Sequence, residues 1–561
     1  MAKGSHSNMA PLVTDGILLD DTASPEWHSS VCLTNGIRKD PTIADIDARR
    51  QAVGKMVAPT GAYADSDMFK LQCSRSSDRP AAKRWDNHLT DECRARAPGI
   101  LKVAARFLKR PGMISLAGGL PSPDYFPFNS ISAAIPEIPG AAESDLFEAE
   151  SIITMGLRDI ASGDAAFDLS VALNYGQAAG SAQMIRWITE HTELVHKPLY
   201  ADWDTCLTTG STAGIYQALR MLCDKNRGDS WMTEEYCYAS ALETALPMGL
   251  KTVGIKMDAD GPIPEVMDEL LTNWDASKKG ARKPHVLYTV PTGQNPTGST
   301  QSAARKRAIY KVCQKHDIYV IEDDPYYFLQ LRSDPTPSHN SSKLLTNIFL
   351  SNLTPSFLSI DTDGRVMRID SFSKVVVPGA RMGWVTASEQ IIERFIRHAE
   401  TASQGPSGFS QALIYKLVDE KWGHQGFLDW LQHLQAEYTE RRDVLLAAFD
   451  KFLPKSIVSW NSPSAGMFCW IKISHSLRPN AKLYSALDIE EEIFAACLKR
   501  GVLVAKGSWF RAEPDLPLDD VFFRLTFAAS SAENMEVAVR TFGTALRNIF
   551  SLVDDVLNMN N

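Results

Sequence analysis

Through the middle of the chain, short apolar runs alternate with stretches whose apolar positions recur at helical spacing. DTCLTTG (204–210), DSWMTEE (229–235), LKTVGIKMD (250–258), HVLYTV (285–290) and IYVIEDD (318–324) read as strands. STAGIYQALRMLCD (211–224) and TQSAARKRAIYKVCQKHD (300–317) read as helices, the second with Ala303, Ile309, Tyr310 and Val312 near helical spacing. This β–α–β rhythm predicts a mainly parallel sheet with helices on both faces. A helix-rich region, 386–452, leads to a second unit. That unit has mixed strands, SAGMFCWIKI (464–473) and DVFFRLTFAAS (520–530), and a terminal helix around 531–550. The expected fold class is α/β: a large domain with a mainly parallel sheet, and a smaller α+β domain built from both chain ends.

The pattern changes near residue 82. Residues 1–82 are rich in Ser, Asp, Thr and Pro, with one helical candidate, PTIADIDARRQAVGKM (41–56). They read as a largely mobile extension. The expected division is 1–82 as extension, 83–165 as an N-terminal arm and part of the small domain, 166–410 as the large domain, and 411–561 as the C-terminal small domain.

Composition narrows the function classes. The 561 residues carry a net charge of −9, and the one dense cationic cluster, KKGARK (278–283), reads as a solvated loop. Nucleic acid is therefore not an expected partner. No apolar run approaches the roughly 18–20 residues of a membrane span, so no membrane partner is expected either. The N-terminus carries Asp15, Asp20 and Asp21 and lacks a charged-then-apolar leader. Nine cysteines without regular spacing suggest reduced thiols and a cytoplasmic location. No CxxC or HExxH motif supports a metal site.

The chemistry concentrates in a few turns. Residues 371–381, SFSKVVVPGAR, place Lys374 after Ser371 and Ser373, with Arg381 seven residues on. A lysine that forms a Schiff base with an aldehyde cofactor needs a nearby phosphate site. Two hydroxyls and a forked guanidinium suit a phosphate dianion. TTGSTAGI (208–215) follows a strand and opens a helix, so the free N–H groups of Ser211, Thr212 and Ala213 would point at an anion. YTVPTGQNPTG (288–298) sets Asn295 against Pro296 in a rigid turn suited to orienting one amide. IEDDPYY (321–327) carries two Asp-x-x-Tyr pairs, Asp323–Tyr326 and Asp324–Tyr327. An acid there could meet a pyridine nitrogen while the phenol meets a ring hydroxyl. The pattern alone leaves both pairs open, with continuity from Ile321 favouring Asp323.

Taken together with SLAGGLPSPDYFPF (115–128), IEDDPYYFLQL and DSFSK, these motifs resemble the fold-type I pyridoxal-phosphate aminotransferases over about residues 83–550. The similarity is to the kynurenine/2-aminoadipate branch, especially its fungal aromatic-amino-acid members. The resemblance implies that 166–410 binds pyridoxal 5'-phosphate and that Lys374 is the Schiff-base lysine and proton carrier. It implies that Asp323 meets the pyridine nitrogen, that Asn295 and Tyr326 hold the ring hydroxyl, and that Tyr238 stacks on the ring. Ser211, Thr212, Ser371, Ser373 and Arg381 would then complete the cofactor site. Arg524 would clamp the substrate carboxylate, Gly119 would pass close to the substrate, and Tyr175 would reach the active site of a partner subunit, making a homodimer with composite sites.

Two departures stand out. Lys102 occupies the position of a substrate-binding arginine in mammalian members, which weakens the case for a dicarboxylic side chain. The segment between Phe328 and Val366, containing DPTPSHNSSK, is longer than theirs.

The expected activity is ping-pong transamination of Phe, Tyr or Trp with a 2-oxo acid such as 2-oxoglutarate. The alternatives are a 2-aminoadipate/kynurenine aminotransferase and a carbon–sulfur lyase on the same scaffold. A cofactor-sensing transcription regulator would need a DNA-binding module in 1–82, and that segment is too polar and insufficiently basic. Retention of Lys374, Asp323, Asn295 and Arg524 argues against a relative that has lost its chemistry.

Overall fold

The computed structural model describes residues 33–34, 37–38, 40–71, 79–100, 114, 116, 119–136, 150–333, 342–518 and 520–552. Its centre is a seven-stranded sheet of β1 (Trp203–Thr208), β2 (Ser230–Glu234), β3 (Lys251–Ile255), β4 (Val286–Thr289), β5 (Tyr319–Asp323), β6 (Val366–Ser371) and β7 (Gly383–Ser388). The spatial order is β1-β7-β6-β5-β4-β2-β3. Only β7 runs antiparallel to its neighbours; the other pairings are parallel. Every residue of β4, β5 and β6 is buried. Helices cover both faces, which is why these strands read as continuous runs rather than alternating ones.

The register decides which side chains share a face. Tyr288 pairs with Ile321, Asp323 with Ile369, and Ser371 with Gly383. Side chains alternate along a strand, so Tyr288, Ile321, Asp323, Ile369 and Ser371 project to one side. The helix Ser211–Leu222 covers that side: a Cβ on Gly214 would lie 3.3 Å from Ile369 Cγ2. Glu322, Asp324, Arg368 and Asp370 project to the other. There Arg368, fully buried, meets Glu322 at 3.0 Å, Asp324 at 3.3 Å and Asp370 at 2.8 Å.

The smaller unit has a four-stranded antiparallel sheet of β8 (Val458–Trp460), β9 (Phe468–Ile473), β10 (Ala505–Lys506) and β11 (Val521–Thr526), ordered β8-β9-β11-β10. The long helix Gly423–Phe452 and the helix Ala532–Phe550 pack against one another beside it. Its strands all come from the C-terminal part of the chain.

The described N-terminal residues lie on the large unit. The helix Ile43–Val53 starts in a capping box between Thr42 and Asp45. Its Arg49 and Arg50 reach the fully buried Glu190, and Arg50 also meets Asp419 at 2.6 Å. Farther along, Ser66 donates its N–H to Asp204 at the sheet edge at 2.9 Å, and Leu71 donates to Glu193 at 2.9 Å. Trp85, Leu89 and Cys93 join the core that includes Leu219 and Leu222. A stretch polar in composition is thus held both by specific polar contacts and by a few buried apolar side chains, Ile46, Phe69 and Leu71 among them.

Candidate active site

The site forms where β5 and β6 end and the small unit approaches. Gly210 caps the helix Ser211–Leu222 with φ 93°. A Cβ there would lie 2.5 Å from Arg381 Nη2 and displace that guanidinium, and the backbone at φ 93° and ψ 167° is one that glycine alone adopts readily. Arg381, itself at φ 47°, donates to Pro378 O at 3.1 Å and Thr209 O at 3.4 Å. Ser371 donates to Ser373 Oγ at 2.9 Å, and Ser373 N–H donates back to Ser371 Oγ at 3.1 Å. The Ser211 hydroxyl is buried beside Asp323 without a hydrogen bond of ordinary geometry, while Thr212 next to it is exposed. The hydroxyls, the forked side chain and the helix N-terminus together form a cup for an anion.

Lys374 follows β6 in a turn and is partly buried. Burial lowers its pKa, and the nearby Arg381 and Arg524 charges lower it further. That favours the neutral amine, which is the nucleophilic and basic form.

The acids of the two Asp-x-x-Tyr pairs, Asp323 and Asp324, point to opposite faces of the sheet. Asp323 projects toward the helix Ser211–Leu222, whereas Asp324 projects away and pairs with Arg368. Asp323 Oδ2 accepts a hydrogen bond from Tyr288 Oη at 2.8 Å. Its Oδ1 is buried with no partner. Burial pushes the carboxyl up to about 7; the Tyr288 and Ser211 hydroxyls oppose this, and the Asp370 and Glu234 carboxylates add to it.

Arg524 sits on β11 and crosses to the large unit. Its Nη1 donates to Asn295 Oδ1 at 2.7 Å. Its guanidinium lies 4.5 Å from the Phe468 ring centre and 4.7 Å from that of Phe510. Asn295 is in a loop pressed so tightly on the small unit that a Cβ on Gly293 would lie 2.5 Å from Gly466 Cα. Tyr326 is buried, and burial raises its phenol pKa, as do the Asp323 and Tyr238 charges; Arg524 and the Asn295 side chain oppose. Tyr238, at the N-cap of the helix Ala239–Ala245, borders both Tyr326 and Arg524.

The structure therefore gathers Lys374, Asp323, Asn295, Tyr326, Tyr238, Arg381, Arg524 and the three serines. Gly119 and Tyr175 stand exposed, and a Cβ on Gly119 would meet nothing within 4 Å. Lys102 lies outside the described residues, as do 334–341 of the longer segment. Reasoning from motifs missed Tyr288, Phe468 and Phe510. Tyr288 carried a signal, since strand alternation places it on the face of Asp323.

A family model described as aminotransferase class I and II matches residues 163–542. The chain belongs to the class I and II aminotransferases. It is 45% identical over 472 residues to an aromatic amino acid aminotransferase of Schizosaccharomyces pombe, covering 83% of this chain and 98% of that one. It is 35% identical over 436 residues to an L-tyrosine:2-oxoglutarate aminotransferase of Serpula lacrymans, covering 76% and 83%. Among solved structures, aminotransferase Aro8 of Candida albicans superposes with a TM-score of 0.76 at 40% identity, covering 84% of this chain and all of that one. The protein is thus a pyridoxal-phosphate-dependent aminotransferase of fold type I, as the motifs implied. The residues present fit that cofactor: Asp323 Oδ1 is an orphaned acceptor for a pyridinium N–H, and the cup at Gly210 lacks the Cβ that would fill it.

Proposed function

We propose that this aminotransferase moves the amino group of an aromatic L-amino acid to a 2-oxo acid, with 2-oxoglutarate as acceptor, in two half-reactions. The observation that carries the reading is the Arg524 guanidinium, bonded to Asn295 and bordered by Phe468 and Phe510. It offers a carboxylate clamp with aromatic surface beside it, and the named activities of the relatives agree with that pairing.

Ser211, Thr212, Ser371, Ser373 and Arg381 would hold the cofactor phosphate. Asp323 would hold the pyridine N–H, Asn295 and Tyr326 the ring oxygen, and Tyr238 the ring face. Bound pyridoxal phosphate supplies an electrophilic aldehyde and an electron-accepting ring. Arg524 would fix the α-carboxylate with the Cα–H toward Lys374, whose Nζ would take that proton and deliver it to the carbon that carried the cofactor's aldehyde. Desolvation of Lys374 lowers its pKa and so favours the neutral amine that acts as the base.

Support for a homodimer with composite sites comes from exposed apolar side chains near Gly119 and Tyr175: Ile114, Leu116 and Tyr125 are all at least 85% exposed. Seven free, buried cysteines among the described residues agree with a reducing, cytoplasmic location. No helix among the described residues is long and apolar enough to cross a membrane.

The test is a half-reaction titration of the cofactor-loaded protein. Phe, Tyr, Trp, 2-aminoadipate and a cysteine conjugate are added in turn while the bound-cofactor absorbance is followed, and then 2-oxoglutarate is added. Discharge by the aromatic donors with full recovery is expected. Discharge by 2-aminoadipate alone would overturn the aromatic assignment. Ammonia and pyruvate from the conjugate would mean a lyase.

A further inference from the structure

Behind the orphaned oxygen of Asp323 stands a buried phenol that no motif singled out. Tyr288 is fully buried on β4, and its Oη lies 2.8 Å from Asp323 Oδ2. The strand register explains the reach. Tyr288 pairs with Ile321, two residues before Asp323 on the same face. At about 3.3 Å per residue the offset is roughly 6.6 Å, about the length of a tyrosine side chain from Cα to hydroxyl. A serine or threonine there would stop short, and a phenylalanine would arrive without a donor.

The phenol has little freedom to do anything else. Trp231 packs on its ring with centroids 5.9 Å apart, and Cys206, Ile215 and Ile321 share its core. Burial raises the Tyr288 pKa well above its usual value, and the Asp323 charge adds to that, so the hydroxyl remains a donor across the pH range of an enzyme assay. A neutral donor on one carboxylate oxygen does two things: it fixes the carboxylate plane, and it stabilises the ionised form.

We propose that Tyr288 is a positioning residue for Asp323, aiming Oδ1 at the pyridine nitrogen and holding the carboxylate in the charged state that keeps a pyridinium protonated. This rests on the cofactor reading of Asp323 but goes past it, since the contact exists in the protein alone. Tyr288 touches neither substrate nor cofactor in this assignment; it acts through the carboxylate.

The first experiment measures pyridoxal-phosphate affinity of full-length protein stripped of cofactor, from pH 5.5 to 9, for wild type and Tyr288→Phe. Both proteins share the titrations of the cofactor itself, so the difference isolates the carboxylate. The expected result is a loss of about 10-fold in affinity at neutral pH, from one charge-assisted hydrogen bond. It should shrink as the pH rises and Asp323 ionises without help. Equal affinity for both proteins at every pH overturns the proposal, and so does a loss that does not change with pH, which would indicate mere repacking.

A second experiment separates this proposal from the cofactor reading. In cofactor-free protein, thermal unfolding against pH is compared for wild type, Tyr288→Phe, Asp323→Asn and the double variant. Coupling between the two sites that changes with pH is expected whether or not the protein binds pyridoxal phosphate. Additive effects at all pH values overturn the positioning role. Failure of the wild type to bind cofactor, with coupling intact, would instead overturn the cofactor reading and leave the Tyr288–Asp323 unit standing.

Discussion

Arg524 of the small unit donates to Asn295 of the large unit at 2.7 Å, so the proposed carboxylate clamp is also a bridge between the two halves of the molecule. Phe468 and Phe510 border the guanidinium, and burial lowers its pKa. A partly desolvated arginine beside one amide oxygen has remaining donors to offer a bidentate anion.

Replacing Arg524 with Lys keeps the charge and removes the fork. The expected outcome is a fall of about 10- to 100-fold in kcat/KM for every amino donor, from one lost charge-assisted hydrogen bond. Cofactor affinity should change little, because the phosphate cup lies elsewhere. Steady-state kinetics with Phe and Tyr, together with a cofactor-binding curve, check both halves of the expectation.

Lys374→Ala should abolish covalent capture of the cofactor while leaving it bound by the cup. Borohydride reduction followed by peptide mass analysis should place the cofactor mass on the Lys374 peptide of the wild type and nowhere in the variant. Turnover should fall by about 100- to 10,000-fold, the usual contribution of a positioned acid–base group. Label on a different lysine would remove Lys374 from the assignment.

Gly210→Ala tests the cup. The residue would be strained at φ 93°, and its Cβ would meet Arg381 Nη2 at 2.5 Å. At φ 93° and ψ 167° the backbone is in a region essentially confined to glycine, where another residue costs about 1–3 kcal/mol, and the end of the Arg381 side chain must also move. Weaker pyridoxal-phosphate binding is expected, with inorganic phosphate competing less well than in the wild type. Unchanged phosphate competition would place the anion elsewhere.

Much of this was legible from the chain. Buried strands ending in Asp323 and Ser371 could be read from apolar runs, and so could the helix opened by Ser211, because both depend on local periodicity. The reversed strand β7 between β1 and β6 could not, since strand order depends on contacts distant in sequence. Asp323 and Asp324 are equivalent in composition, and only the register separates an acid facing the site from one paired with Arg368. Tyr288 looked like an ordinary strand residue because its partner lies on another strand. Residues 40–71 looked mobile because the groups that hold them, Glu190, Asp204 and Glu193, are more than a hundred positions away.

Asp323 also makes a pH prediction for the cofactor-free protein. Its carboxyl titrates near 7 when folded because burial disfavours the charge, against about 4 when unfolded. Between those values the unfolded chain ionises while the folded one holds its proton, so this group's contribution falls as pH rises from about 4 to about 7. Asparagine cannot ionise. Asp323→Asn should therefore gain on the wild type as pH rises, by a few kcal/mol at most, at about 1.4 kcal/mol per unit of pKa. Pyridoxal phosphate should abolish the gain by pairing the wild-type carboxylate. Unfolding curves at pH 5 and pH 8, with and without cofactor, check the sign.

Glu190 anchors the N-terminal helix and gives the opposite pH dependence. Burial pushes its pKa up, but the His424 hydrogen bond and the Arg50 charge outweigh that and hold it well below the usual carboxylate range. Arg49 meets the same carboxylate at 3.2 Å and His424 meets it at 3.1 Å. A carboxyl depressed in the folded state contributes stability above its unfolded pKa and loses it as pH falls. Glu190→Gln removes the carboxylate that Arg49, Arg50 and His424 share, while Arg50 keeps Asp419 at 2.6 Å, so the loss should stay below the roughly 3–5 kcal/mol of a fully broken buried pair. The full deficit should appear at pH 7 and shrink below pH 4. Because Arg49 and Arg50 lie on the helix Ile43–Val53, the variant should also be cleaved faster within residues 40–71 by a dilute protease, before the body unfolds. Equal cleavage rates combined with a stability loss would mean that Glu190 supports the core without fastening the N-terminal segment.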